Sequence, residues 1–145
     1  MKLFLDTSVL VKLFHDEPGT PEVTSMVAAA GPDVFVLELA RIEFLSAVYR
    51  RLRAGEIEED AVGRVRGFLE DQLLLFRVLP LGQAVLREAE QLVAAHGRED
   101  GLRTLDALHL AAFTLVCGPD WKFVCADERL SRLVRKMGFD AVTPP

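Results

Sequence analysis

The chain has 145 residues, of which half are hydrophobic and 27% are charged, which excludes a disordered chain and suffices for one domain with its own core. Its net charge of −5 excludes a general attraction to nucleic acid, so such binding would need local basic patches or a bound metal ion. Two cysteines are too few for a disulfide framework, no apolar stretch is long enough to span a membrane, and Asp6 and Lys12 interrupt any signal peptide, so we expect a cytoplasmic protein with residues 1–145 as a single domain.

Short apolar runs alternate with longer helical patterns along the chain, which predicts a three-layer α/β fold with a parallel sheet flanked by helices. Residues 2–5 predict the first strand, and residues 8–16 predict a short helix that ends near Pro18. Residues 20–31 predict a helix with Thr20 as its N-cap, Pro21 at the first helical position and Gly31 at its exit. Residues 33–37 predict the second strand.

The rest of the chain continues the alternation and brings the expected sheet to four or five strands. Long helices are predicted over 38–55, where Gly55 ends the pattern, and over 58–75. A strand over 76–81 and a helix over 82–97 precede a more apolar, hence more buried, helix over 104–118. A fourth strand over 122–126, a last helix over 127–138 and an edge strand over 139–144 complete the prediction.

Two of the predicted strands are followed at once by an aspartate, Asp6 after the first strand and Asp127 after the fourth. In parallel α/β sheets the ligand crevice lies beyond the carboxyl ends of the strands, so two such side chains could meet. The alternative for each residue is an N-cap, since aspartate caps helices well and a helix follows each one. One such aspartate alone would favour the N-cap interpretation, whereas the presence of two favours a shared site.

A third acidic residue, Asp106, lies two residues after Thr104, the predicted N-cap of its helix. A first-turn acid interacts favourably with the helix dipole. This helix is apolar almost all round, however, so a carboxylate there must face a partner, a cavity or a metal ion. His109 shares the face of Asp106 and is interpreted as a hydrogen-bonded core residue, because no zinc-ligand spacing accompanies it.

Glu43 is not distinguished by periodicity. At about 100° per residue, Ile42, Phe44, Val48 and Tyr49 belong to the predicted apolar arc of the helix over 38–55. The same periodicity places Glu43 on the solvated face.

Taken together and in order, four segments of the chain resemble a PIN domain, and in particular the VapC toxins of bacterial and archaeal toxin–antitoxin pairs. The segments are "LDTSVLV", "ELARIEFLSAVYR", "LRTLDALHLAAF" and "FVCADERLSRLVRKMGFDAV". The resemblance runs from residue 2 to about residue 143. It departs at Cys125, where the family usually has threonine or serine.

The resemblance implies a metal-dependent endoribonuclease, the toxin of a type II toxin–antitoxin system, that hydrolyses RNA with metal-activated water. The implied catalytic and metal-binding residues are Asp6, Glu43, Asp106 and Asp127. Thr7 and Ser8 are the implied contacts of these carboxylates or of the scissile phosphate. Oxygen ligands without histidine or cysteine suit Mg²⁺ or Mn²⁺.

RNA, a cognate antitoxin and a second copy of the chain are the expected partners. Arg50, Arg129 and Arg132 are candidate contacts to RNA or antitoxin, although charge near a helix end and solubility explain them equally well. The helices over 38–75 carry more apolar surface than the sheet can cover, which predicts a homodimer that also binds its antitoxin through this region.

Other functions remain as alternatives from the sequence. One is an rRNA-processing PIN nuclease, and another is a PIN scaffold that only binds a partner. A third is an aspartyl-phosphate phosphotransferase using Asp6, for which Ser8 stands where a second aspartate is needed.

Overall fold

The computed structural model describes residues 1–145. Five parallel strands form one sheet: β1 (Lys2–Leu5), β2 (Val34–Leu37), β3 (Arg77–Leu79), β4 (Trp121–Val124) and β5 (Asp140–Val142). Seven α-helices accompany them: α1 (Thr7–Leu10), α2 (Thr20–Ala30), α3 (Leu39–Arg53), α4 (Glu59–Leu75), α5 (Gln83–His96), α6 (Thr104–Val116) and α7 (Glu128–Lys136). The predicted parallel sheet of four or five strands flanked by helices is confirmed, and the number of strands is five.

Three details at helix ends differ from the predictions. The first helix is shorter than expected, because α1 passes into a 3₁₀ turn that ends at Leu13, well before Pro18. Thr20 is not the N-cap of α2; Gly19 holds that position, and the Thr20 hydroxyl instead donates to the carbonyl of His15 at 2.8 Å and closes the preceding loop. Thr104 likewise is the first residue of α6, after an extended Arg103.

The strand order is β3-β2-β1-β4-β5. The chain therefore adds β2 and β3 on one side of β1 and then adds β4 and β5 on the other side. The reversal lies between β1 and β4, whose paired residues include Leu5 and Val124. In open parallel sheets the carboxyl end of such a switch point is where ligands bind. This sheet therefore predicts its functional site just beyond Leu5 and Val124.

Residues alternate between the two faces of the sheet, and each face buries a separate apolar cluster. Leu3 and Leu5 face α1, α2, α3 and α4. Phe4 faces α5, α6 and α7, where it stacks on Phe123 at 5.7 Å between ring centroids. Each such fully buried side chain contributes about 1.5–3 kcal/mol to folding, so the two clusters hold both helical layers on the sheet.

Backbone hydrogen bonds continue past the strands at the carboxyl edge of the sheet. The amide of Asp6 donates to the carbonyl of Val124 at 2.9 Å, and the amide of Cys125 donates to Val142 at 3.1 Å. The residues that follow β1 and β4 are therefore held by the sheet itself. No helix of the structure has the length and apolar character needed to cross a membrane.

Candidate active site

Asp6 is the first residue after β1, and its side chain is held by one neighbour, Ser8. Its Oδ2 accepts a hydrogen bond from the Ser8 amide at 3.1 Å and another from the Ser8 hydroxyl at 2.5 Å, so it is the N-cap of α1. The Ser8 hydroxyl in turn accepts from the amide of Ala126 at 3.0 Å. Ser8 thus links the ends of β1 and β4, and the other oxygen of Asp6, Oδ1, makes no hydrogen bond within the protein.

Asp127 follows β4 after two intervening residues, Cys125 and Ala126. Its Oδ1 accepts from the amides of Arg129 at 2.8 Å and Leu130 at 3.3 Å, which makes Asp127 the N-cap of α7. Its Oδ2 makes no hydrogen bond within the protein. Both strand-end aspartates are therefore helix caps, and both also line one open groove at the switch point of the sheet, together with Glu43 and Asp106.

Glu43 enters this groove from α3, and the periodicity that placed it on the solvated face is wrong. Ile42 and Tyr49, predicted to be apolar contacts, are 69% and 42% exposed, whereas Ala40 and Ala47 are buried. The buried face of α3 is therefore rotated from the predicted apolar arc toward Ala40 and Ala47. Glu43 consequently lies at the border of the buried face and not opposite it.

The Glu43 carboxylate is held by two donors. The Thr7 hydroxyl donates to Oε1 at 2.8 Å, and the His109 ring Nε2 contacts the same oxygen. Burial opposes ionisation of Glu43, but hydrogen bonds from His109 and Thr7, together with the charge of His109, outweigh it and lower the pKa of Glu43. Glu43 therefore stays charged in the groove.

His109 is buried, as a core histidine was predicted to be, but its partner is the acidic site. Its ring lies 3.3 Å from the Thr7 hydroxyl and 3.8 Å from Asp6 Oδ1. Burial opposes protonation, yet the hydrogen bond to Glu43 and the negative charges of Asp6, Glu43 and Asp106 raise the pKa of His109. Interpreting His109 only from its apolar helix missed this contact.

Asp106 lies in the first turn of α6, and its pKa is shifted in the opposite direction from that of Glu43. Burial, followed by the charge of Asp6, raises the pKa of Asp106; Arg103, whose Nε is 3.8 Å away, opposes this, and the Asp127 charge adds to it. Neither Asp106 oxygen makes a hydrogen bond within the protein. Burial and the charges of Asp6 and Asp127 thus all oppose ionisation of Asp106.

The four carboxylates share a groove without forming a ready-made cage. No three Asp, Glu, His or Cys side chains lie close enough to hold a metal ion as they stand. The donor chemistry nevertheless fits Mg²⁺, which typically keeps several waters and takes one or two carboxylates. An oxygen without an internal hydrogen bond on each of the four side chains is consistent with a hydrated cation in the groove.

The basic candidates fall in different places. Arg50 lines the groove. Arg129 lies in a small adjoining pocket beside Asp106 and Asp127, and Arg132 is exposed on α7 and lines neither. Arg103, which the sequence did not single out, also lines the groove. The signal for it was its place just before α6, three residues ahead of Asp106.

Cys125 has no contact with the groove through its side chain. It is fully buried; its Sγ donates to the carbonyl of Asp127 at 3.4 Å and lies 3.1 Å from the Ser131 hydroxyl. Burial raises the pKa of this thiol to about 12. A protonated thiol at this position supports the turn that presents Asp127.

Comparison with known proteins places this arrangement in a family. The sequence profile of the PIN domain matches residues 3–136. The chain belongs to the PIN domain family. Ribonuclease VapC47 of Mycobacterium tuberculosis (strain CDC 1551 / Oshkosh) is 33% identical to this PIN domain over 145 residues, covering 98% of this chain and 96% of that protein.

Solved structures confirm the predicted PIN-like fold. A chain of the DNA-bound VapBC structure from Salmonella typhimurium has a TM-score of 0.72 at 14% identity, covering 99% of this PIN domain and 98% of that chain. Mycobacterium tuberculosis VapC20, described as a sarcin–ricin loop cleaving toxin, has a TM-score of 0.69 at 18% identity, covering 99% and 100%. At these identities the likeness shows a shared fold.

Proposed function

We propose that this PIN domain is an endoribonuclease, the toxin of a type II toxin–antitoxin pair, and that it hydrolyses RNA phosphodiester bonds. The observation that carries the proposal is the meeting of Asp6, Glu43, Asp106 and Asp127 in one groove at the switch point of the sheet. Family membership and the VapC47 relative support it. The same relative favours a toxin over an rRNA-processing nuclease or a non-catalytic scaffold.

We assign Mg²⁺ or Mn²⁺ to the groove, held by the free oxygens of Asp6, Asp106 and Asp127 with Glu43 beside them. A divalent cation bound there would stabilise charge on the scissile phosphate and make water a stronger nucleophile. It would also offset the charges of Asp6 and Asp127, which add to burial in raising the pKa of Asp106. RNA would then approach an acidic groove whose charge is offset by the cation.

The hydroxyls of Thr7 and Ser8 orient the carboxylates in this proposal. Thr7 donates to Glu43 and Ser8 donates to Asp6, so both hydroxyl protons are already used inside the protein. This favours the orienting role over direct contact with the scissile phosphate. Arg50 and Arg103 are the basic side chains that line the groove, and we assign them contacts to the RNA backbone.

The aspartyl-phosphate alternative would make Asp6 a covalent nucleophile. Such chemistry needs a second acid two residues on, and the side chain there is Ser8, whose hydroxyl instead ties Asp6 to Ala126. A fixed carboxylate with one free oxygen is suited to a cation. The geometry therefore favours the PIN nuclease.

The proposal also includes an antitoxin as partner, in keeping with the VapBC structure from Salmonella typhimurium that shares the fold. Exposed apolar residues on α4, Phe68, Leu74 and Leu75, support a binding surface in this helical region. Phe68 and Leu75 line a groove between α4 and the turn that contains Phe14.

Incubating the purified protein with structured RNA tests the activity. Cleavage at single-stranded or looped sites is expected with Mg²⁺ or Mn²⁺ and is expected to be lost in EDTA. Asp6→Asn and Asp106→Asn should lose at least about 100-fold in activity, because each removes a charged oxygen ligand. Expression of the wild type alone should arrest growth, and expression of either variant should not.

Arg132→Ala is the matched control, since Arg132 is exposed and lines no part of the groove; its cleavage rate should stay close to that of the wild type. Undiminished cleavage in EDTA, or full activity in both aspartate variants, would contradict the proposal.

A further inference from the structure

A fully buried histidine lies directly behind the acidic groove. The His109 residue is 0% exposed, and its neighbours on α6 are apolar. A polar ring buried in such surroundings costs free energy unless it is hydrogen-bonded. The hydrogen bonds of the ring must offset this cost, and their partners indicate whether His109 has a role beyond packing.

All polar contacts of the ring are made by one atom. Nε2 contacts Glu43 Oε1 and lies near Thr7, whereas Nδ1 is buried without a hydrogen-bond partner. A carboxylate oxygen only accepts, so Nε2 carries the proton and donates to Glu43. The polar function of the ring is thus directed entirely toward the groove.

This hydrogen bond connects the two helical layers of the protein. Glu43 is on α3, which packs on one face of the sheet, and His109 is on α6, which packs on the other. The two meet only because both helices reach the carboxyl edge of the sheet. The position of Glu43 depends on the apolar cluster under α3. The hydrogen bond from His109 fixes the Glu43 carboxylate relative to the other helical layer, which carries Asp106.

We propose that His109 is a positioning residue that holds the Glu43 carboxylate in the groove in the orientation required for the divalent cation. Both hydrogen bonds to Glu43, from His109 and from Thr7, go to Oε1, which leaves Oε2 free for a cation or its bound water. This inference rests on the proposed function and adds to it a residue that contacts neither cation nor RNA.

The proposal can be tested by measuring the Mn²⁺ affinity of the purified full chain by electron paramagnetic resonance. His109→Leu should weaken Mn²⁺ binding about 10–100-fold, the usual range for loss of a residue that orients a metal ligand. His109→Gln should retain most of the affinity, because its amide nitrogen can donate from nearly the position of Nε2. Phe113→Leu, a buried change on the same helix away from Glu43, should lower the melting temperature and leave Mn²⁺ affinity unchanged.

A double-mutant cycle in EDTA tests the contact without metal. Glu43→Ala leaves His109 buried without its partner, so adding His109→Leu should lower the melting temperature less than it does in the wild type. Strict additivity in this cycle, or wild-type Mn²⁺ affinity in His109→Leu, would overturn the inference while leaving the nuclease proposal intact. If the cycle shows coupling in EDTA but the wild type cleaves no RNA with Mg²⁺, the contact between His109 and Glu43 is supported and the nuclease proposal is refuted.

Discussion

At the scale of single residues, Asp6 combines two roles that are usually considered as alternatives. One oxygen caps α1 through Ser8, and the other is free in the groove shared with Asp106. The cap explains why the apolar first strand ends in a carboxylate, and the groove brings that carboxylate near Asp106, whose pKa is raised by burial and then by the Asp6 charge. Asparagine caps a helix about as well as aspartate, so Asp6→Asn separates the two roles.

Asp6→Asn is expected to stabilise the metal-free protein by roughly 1–3 kcal/mol at neutral pH, from Coulomb repulsion at an effective dielectric near 20. For a chain of 145 residues this corresponds to a rise in Tm of about 2–10 °C. Mg²⁺ should raise the Tm of the wild type by mass action and raise that of Asp6→Asn much less. Thermal melts of both proteins in EDTA and in excess Mg²⁺ measure these differences.

The stabilisation should depend on pH with a definite sign. The pKa of Asp106 is raised by burial and then by Asp6, so the folded state holds this proton more tightly than the unfolded state. The resulting stability is present at low pH and is lost as pH rises through the raised pKa. The advantage of Asp6→Asn should therefore be small near pH 3 and larger at pH 7. An Asp6→Asn protein that melts no higher in EDTA and responds to Mg²⁺ like the wild type would show that Asp6 is only a cap.

At the scale of elements, α4 shows how little local propensity is needed once a helix packs. It contains Gly63 and Gly67, both exposed, and a Cβ added at either would meet no atom within 4 Å. Glycine lowers helix stability because it loses the most backbone entropy on folding. Burial of Val62, Leu69 and Leu73 against the sheet layer offsets this cost.

Gly67→Ala is expected to stabilise the protein by about 0.5–1 kcal/mol, since it adds helix propensity without a clash. Gly55→Ala is the matched control: Gly55 has φ +73° at the end of α3, where alanine is strained, and it should destabilise the protein. Urea unfolding of the two variants and the wild type measures both effects. A Gly67→Ala variant that is no more stable than the wild type would contradict this prediction.

At the scale of the whole molecule, the large exposed apolar residues other than Met1 occur in two regions. One set lies on α3 and α4, as the sequence predicted, and includes Leu74 at 84% exposed. A second set, which the sequence did not single out, lies on α5 and α6 and includes Leu86 and Leu115. Apolar residues gathered on one surface are typical of protein interfaces.

We predict a homodimer formed through the helices over 38–75. Light scattering of the wild type at micromolar concentration should give the mass of two chains, and Phe68→Glu should shift it toward one chain because the charge would be buried in the interface. Leu115→Glu, at a comparably exposed site on α6, is the control and should leave the mass unchanged. A monomeric wild type would contradict the prediction, and a monomer produced only by Leu115→Glu would place the interface on the second set.

The sequence by itself determined the order and type of the elements and the meeting of Asp6 with Asp127. Apolar periodicity is a local property, and parallel strands bring their carboxyl ends to one edge whatever the details of packing. Only the tertiary structure decided three features of the site. These are the inward orientation of Glu43, its contact with His109 and the position of Arg103 beside the groove. These depend on how each helix is rotated about its axis, and that rotation follows from which small residues, such as Ala40 and Ala47, pack against distant parts of the chain.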